Sequence, residues 1–192
     1  VACAAGTDCN RIEGNAALDV SNSQPTGGST ILLQDAGNLY ADRVELRGNS
    51  GGHVLRDVAG FLELSNVLIA GNATTQELVT RDSSDNTILE FDSSTIAGNT
   101  IGAANVIHAP AGLALFNSIV DQPNVATVDP PIADGADAKN VRTNDRSTLP
   151  DTVYIQQGEP TFVNAAAGDY HLTPASLGVD AAAADTDVLA TT

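Results

Sequence analysis

The chain has 192 residues, with 24 acidic against 8 basic side chains and a formal net charge of −16. That balance excludes a protein that grips nucleic acid through its phosphates, because such contacts need Lys and Arg, and it disfavours anionic membrane surfaces. No stretch is long and apolar enough to span a bilayer, so no direct membrane insertion is expected, and the length fits a single domain over residues 1–192.

The chain begins Val1-Ala2-Cys3 and contains no Met, which reads as a mature product or a fragment of a longer protein. Cys3 and Cys9 lie close together in a turn-rich leader. A disulfide pinning the first coil is the expected state, and it points to an oxidising, extracellular compartment; two cysteines alone do not make a zinc site. Thr7 to Asn15 reads as a first coil with Ile12 in its bore, and Ala16 to Thr30, rich in Ser, Asn, Gly and Pro, reads as a loop hanging off it.

From Gly37 a phrase repeats. It reads GNLYADRVELRGN at Gly37, GFLELSNVLIAGN at Gly60, TILEFDSSTIAGN at Thr87 and, degraded, GLALFNSIVDQPN at Gly112. Leu39, Leu62, Leu89 and Leu113 open the copies at intervals of about 23 to 27 residues, which is solenoid spacing. Apolar residues alternate within each copy, as in Leu62, Leu64 and Ile69 or Leu89, Phe91 and Ile96, and this period argues strands. A further short strand precedes each copy: Ile31–Leu33, Val54-Leu55, Leu78-Val79 and Val106-Ile107. Each repeat therefore carries about three short strands and no helical period. Gly-Asn recurs at one phase, as Gly14-Asn15, Gly48-Asn49, Gly71-Asn72 and Gly98-Asn99. Stacked coils of a parallel β-helix would lie about 4.8 Å apart and set Asn15, Asn49, Asn72 and Asn99 in a structural ladder. The Gly beside each Asn permits a left-handed turn. A second excursion, rich in Pro, Asp and Gly, is expected from Asp121 to Gly158 and holds Asp129, Asp134, Asp137 and the only lysine, Lys139.

The coil phrase, followed by PTFVNAAAGDYHLTPASLGVDAA from Pro160 to Ala182, resembles secreted right-handed parallel β-helix proteins, and most nearly the bacterial choice-of-anchor Q domain group. Phe162, Val163, Asn164, Gly168, Asp169, Tyr170, His171, Leu172, Ser176 and Asp180 match that group's closing phrase. The resemblance implies an all-β, right-handed, single-stranded parallel β-helix, here of about five to six coils, in a secreted or cell-surface bacterial protein. Members of the group continue past the phrase with an acidic, Gly- and Arg-containing segment that does not follow here, which again suggests a piece of something longer.

Aligning the copies exposes candidate sites. Tyr40, Glu63 and Glu90 each follow the opening Leu, and Asp42, Ser65 and Asp92 form the next outward column. Carboxylates stacked about 5 Å apart suit a retaining glycosidase or a calcium ion held by Glu63, Glu90 and Asp92; a plain solvated face fits the same pattern. Gln34-Asp35, Arg56-Asp57, Arg81-Asp82 and His108 align as a further column. There Arg56 and Arg81 offer guanidinium groups to a glycan carboxylate or sulfate, or pair with their neighbouring Asp residues. His53, His108 and His171 sit at scattered phases without a visible partner, and no nucleophile elbow, phosphate loop or dinucleotide fingerprint is present, so no catalytic residue is assigned. The expected role is a non-catalytic glycan-binding, adhesive or stalk module outside the cell. The alternatives are a polysaccharide lyase or glycoside hydrolase, and a structural unit that self-associates end to end through its coil ends.

Overall fold

The computed structural model of the chain describes residues 10–16, 28–33, 37–58, 60–82, 88–132, 137–151 and 154–176. Cys3, Cys9, Gln34, Asp35, Asp134 and Asp180 lie outside the described residues, as does most of the 16–30 loop. The chain winds as a parallel β-solenoid of about four turns, fewer than the five to six expected from the sequence. A first strand β1 (Asn10–Glu13) and β2 (Ser29–Leu33) lead in. One full coil then comprises β3 (Gly37–Asp42), β4 (Val44–Arg47), β5 (Ser50–Gly51) and β6 (His53–Asp57). The next holds β7 (Gly60–Ser65), β8 (Leu68–Ala70), β9 (Ala73–Thr74) and β10 (Val79–Arg81). The third holds β11 (Leu89–Asp92), β12 (Thr95–Ala97), β13 (Thr100–Ile101) and β14 (Asn105–His108). The fourth has three strands, β15 (Leu113–Phe116), β16 (Ile119–Asp121) and β17 (Ala126–Asp129). The two-residue strands β5, β9 and β13 form a small fourth face beside the three that the sequence shows.

The expected excursion over 121–158 is corrected here. It contains β17, β18 (Ala138–Lys139), β19 (Val141–Thr143) and β20 (Ile155–Gln157), all in parallel register with the coil before. Pro and Asp punctuate the segment, but Val128 still stacks on Ile107 and Ala138 on Leu115. A short apolar strand at the right phase is enough to continue a solenoid whose bore is already formed.

The bore is built of matched columns. Leu39, Leu62, Leu89 and Leu113 stack in one line, Ala41, Leu64, Phe91, Leu115 and Ala138 in the next. Ile12, Leu46, Ile69, Ile96 and Val120 line the second face, and Ile31, Leu55, Val79, Ile107 and Val128 the third. The fully enclosed Leu, Ile, Val and Phe side chains among these stabilise the fold by roughly 1.5–3 kcal/mol each relative to exposure, while Ile12, Ile31, Leu39 and Ala41 at the end of the columns are partly buried.

Two stacks of left-handed turns set the corners. Gly14, Gly48, Gly71 and Gly98 have φ between 60° and 69°, and each is followed by an Asn. Arg43, Asn66, Ser93, Asn117 and Asn140 turn the other corner with φ from 48° to 55°, a conformation that Asn tolerates better than most side chains. Behind the first stack runs the amide column. The Oδ1 of Asn72 accepts the backbone N–H and the Nδ2 of Asn49, at 2.9 and 3.0 Å. Asn49 Oδ1 does the same for Asn15, and Asn99 Oδ1 for Asn72. The Nδ2 of each also reaches back to a carbonyl of the preceding coil: Asn49 to Ile12, Asn72 to Leu46, Asn99 to Ile69. Gln122 ends the column; its Oε1 accepts from Asn99 while its Nε2 turns back to the Asn99 carbonyl.

The closing phrase forms an antiparallel hairpin of β21 (Phe162–Asn164), a 3-10 turn (Ala165–Ala167) and β22 (Asp169–Leu172). It lies on the outer face of the sheet containing β4, β8, β12 and β16. Tyr170 packs on Leu68 and Ala70 and edge-on to Phe162, with ring centroids 5.2 Å apart. Arg47 stands over the Tyr170 ring at 5.6 Å and donates to the Gly168 carbonyl at 2.8 Å. A Cβ at Gly98 would lie 2.5 Å from the Tyr170 hydroxyl, so a larger residue there would have to displace that hydroxyl as well as adopt a left-handed φ of 62°. Beneath it Glu45, 1% exposed, is held between Arg11 and Arg47, both at 2.9 Å. At the other edge, burial and nearby Glu159 push the Asp121 carboxyl above the ordinary carboxylate range, against a hydrogen bond from Asn144.

Asn72→Ala removes an acceptor of two donors and a donor to Leu46 from a site 1% exposed, so it is expected to destabilise by about 2–4 kcal/mol in chemical denaturation. Asn15→Ala, at the exposed end of the column, should cost under about 1 kcal/mol. Asp121→Asn tests the carboxyl beside the hairpin. A carboxyl with a raised folded pKa contributes stability below the ordinary range that is lost as pH rises through the folded pKa. The Asn variant should therefore melt higher than the parent at neutral pH, with the gap closing on acidification; an unchanged gap between pH 7 and pH 4 would refute it.

Candidate functional site

The outer face of β3, β7 and β11 carries the most distinctive exposed chemistry. In-register pairing sets Tyr40 opposite Glu63 and Glu63 opposite Glu90, so this column stands as read from the sequence alignment. Tyr40 is 65% exposed. Its ring lies 5.5 Å from that of Phe61, tilted by 43°. Phe61 sits one position before Leu62, opposite Asn38, whose Oδ1 accepts the Phe61 N–H at 3.2 Å. Ile88, 42% exposed, occupies the same position before Leu89 and extends the apolar strip. The sequence reading passed over Phe61 and Ile88. The signal for them was their position immediately before the opening Leu, which puts both on the outward side of the pleat.

The neighbouring column is differently employed. Asp42 accepts from Asn66 Nδ2 at 3.0 Å and pairs with Arg43 at 2.9 Å. Asp92 is buried, and its Oδ1 accepts from Ser93 Oγ at 3.0 Å and Asn117 Nδ2 at 3.1 Å. These carboxylates brace the left-handed turns. Of the expected calcium set of Glu63, Glu90 and Asp92, the Asp92 carboxylate is thus already engaged, and among the described residues no three His, Cys, Asp or Glu side chains come together as a metal-holding group.

The expected arginine column is also corrected. Pairing sets Arg56 opposite Thr80, and Arg81 opposite Asp57, so the two arginines stand on opposite sides of the sheet. Because side chains alternate faces, a one-residue offset moves a residue from surface to interior. Arg56 points outward and bridges to Asp82 on the next coil at 2.6 Å. Arg81 points inward, 0% exposed, 3.6 Å from the equally buried Asp57, and donates to the Gly60 carbonyl at 2.7 Å. It is an internal ion pair rather than a ligand site. His108 continues the outward line above Thr80 and lies 3.0 Å from Asp129.

The other histidines each have a close hydrogen-bond partner. His53 is buried with Nδ1 2.9 Å from the Glu77 carbonyl, and burial holds its imidazole below the ordinary histidine range. His171 lies against Asp169 at 2.6 Å in the hairpin, and that hydrogen bond draws the Asp169 carboxyl below its usual range. Asp129 ends the fourth coil and Asp137 precedes β18, and neither belongs to a metal-holding group of three or more His, Cys, Asp or Glu among the described residues.

No family model, no curated protein and no solved structure matches this chain. The fold is thus carried by the strand register alone, and the site by the face of β3, β7 and β11.

Arg81→Leu removes a cation 3.6 Å from Asp57 at a site where both side chains are 0% exposed and is expected to destabilise by about 3–5 kcal/mol. Arg56→Ala, which breaks an exposed pair, should change stability by less than about 1 kcal/mol. Equal melting of the two variants would contradict the inward placement of Arg81.

Proposed function

We propose that the chain is an extracellular or cell-surface β-helix module of a secreted bacterial protein, with a non-catalytic glycan-binding, adhesive role. The observation that carries this reading is the Tyr40–Phe61 ring pair beside Glu63 and Glu90 on one exposed sheet. Aromatic faces stack on the C–H side of a sugar ring, and carboxylates accept hydrogen bonds from its hydroxyls. Successive coils repeat at about 4.8 Å, so an extended glycan lying across the coils would meet the strip more than once. The closing phrase from Pro160 supports the secreted bacterial setting through its resemblance to the choice-of-anchor Q group. Calcium is a further ligand of this proposal, as a bridge between Glu63, Glu90 and glycan hydroxyls.

A second reading, a glycoside hydrolase or lyase, rests on Glu63 and Glu90 standing directly opposite in adjacent strands. Carboxyl groups about 5 Å apart are the spacing of retaining hydrolysis.

The test is retention on a panel of extracellular polysaccharides, with and without calcium, followed by product analysis. Tyr40→Ala should weaken binding roughly tenfold with an unchanged melting temperature, and Glu63→Gln should act likewise. Released oligosaccharide that disappears in Glu63→Gln and Glu90→Gln would move the assignment to the hydrolase. Equal retention of parent and Tyr40→Ala would remove the glycan reading from this face.

A further inference from the structure

The two ends of the bore are built differently. At the end formed by β17, β18 and β20, Leu149 enters the core and Ile132 packs against it. The turn that carries Leu149 is tied down: Thr148 Oγ1 accepts the Val128 N–H at 3.1 Å, the Thr148 carbonyl accepts the Ile132 N–H at 2.9 Å, and Thr127 Oγ1 donates to the Asp145 carbonyl at 2.6 Å. The outer edge of β17 is thereby partly satisfied and the bore is plugged. At the opposite end a cavity of about 220 Å³ opens between Ile12, Ile31, Leu39, Ala41, Val44 and Leu46. There β1, β2 and β3 are the outermost strands of their sheets among the described residues.

The edge strand β1 is self-complementary. Gly14 donates its N–H to the Arg47 carbonyl, and the Ile12 carbonyl is used on the same side by Asn49. Since backbone groups alternate sides along a strand, Arg11 and Glu13 direct theirs to the open edge. Both side chains point outward and are about half exposed, at 46% and 54%. Turn a second copy about a two-fold axis normal to the sheet, lying just outside the open edge beside Ile12, and β1 meets its twin antiparallel. Arg11 then faces Glu13 of the other copy, twice over, in hydrogen-bonded positions, while the two Ile12 side chains meet inside the bore.

We propose that two copies of the chain join at these ends, as a closed dimer centred on Ile12 with one continuous apolar bore. Such an interface is isologous and uses up the open edge of both partners. At the other end Leu149 fills the bore and the turn of Thr148 takes up part of the β17 edge, so the assembly proposed is a closed dimer rather than a filament.

The experiment is sedimentation velocity and light scattering on the full chain, from low micromolar upwards. A dimer with no larger species is expected. Glu13→Arg sets like charges opposite each other at two symmetric places and should raise the dissociation constant roughly tenfold or more. Arg11→Glu should do the same, with Arg47 still pairing Glu45. Mixing the two variants should restore a heterodimer, because one edge is then wholly acidic and the other wholly basic; circular dichroism of each variant checks that the coils are intact. A chain monomeric throughout, a growing polymer, or variants that dimerise like the parent would overturn the proposal. So would a monomer that pairs only after residues 1–9 are removed, which would assign the open end to the chain's own beginning.

Discussion

The amide column from Asn15 to Gln122 fixes the phase of the coils it runs through. Apolar stacking alone does not, because Leu, Ile and Val exchange places in the bore at modest cost. A strand slipped by two residues would still put an apolar side chain inside. It would, however, leave the buried amides of Asn49 and Asn72 facing nothing, and each such orphan costs about 1–3 kcal/mol. The left-handed glycines follow from the same requirement, since they aim the next side chain inward against the coil beside it.

Once the phase is set, the faces acquire separate fates. The sheet of β4, β8, β12 and β16 presents Leu68 and Ala70 outward, and the hairpin of β21 and β22 covers them through Tyr170. The Glu45 carboxylate is enclosed there only because Arg11 and Arg47 approach it from two sides. The face of β3, β7 and β11 instead displays Tyr40, Phe61 and Ile88 to solvent. A chain that covers one apolar strip and displays another separates its structural surface from the surface proposed here to bind.

The coil repeat was plain in the sequence because its markers recur as one dipeptide: Gly takes the left-handed turn most easily, and the Asn amide after it both donates and accepts along the axis. The second corner was hidden, since Arg43, Asn66, Ser93, Asn117 and Asn140 share a conformation and not a side chain. Aligning Arg56-Asp57 with Arg81-Asp82 followed dipeptide identity, whereas the pleat obeys parity; Thr80 opposite Arg56 shows that one residue decides between surface and interior. The 121–158 segment misled by composition, because four short strands survive among its Pro and Asp residues. Of the candidate site, the Tyr40, Glu63 and Glu90 column was legible and its aromatic partner was not, as nothing in the repeat singles out Phe61 until the register is known.

Gln122 closes the column by folding its own amide back on Asn99. Between Asn49 and Asn99 every rung hands on the same pair of hydrogen bonds that it receives. A duplicated coil inserted there would find both neighbours already fitted to it, while the terminal pieces stayed as they are. Length is therefore the property that can change with least disturbance to the rest: the molecule is a ruler whose graduations are whole coils.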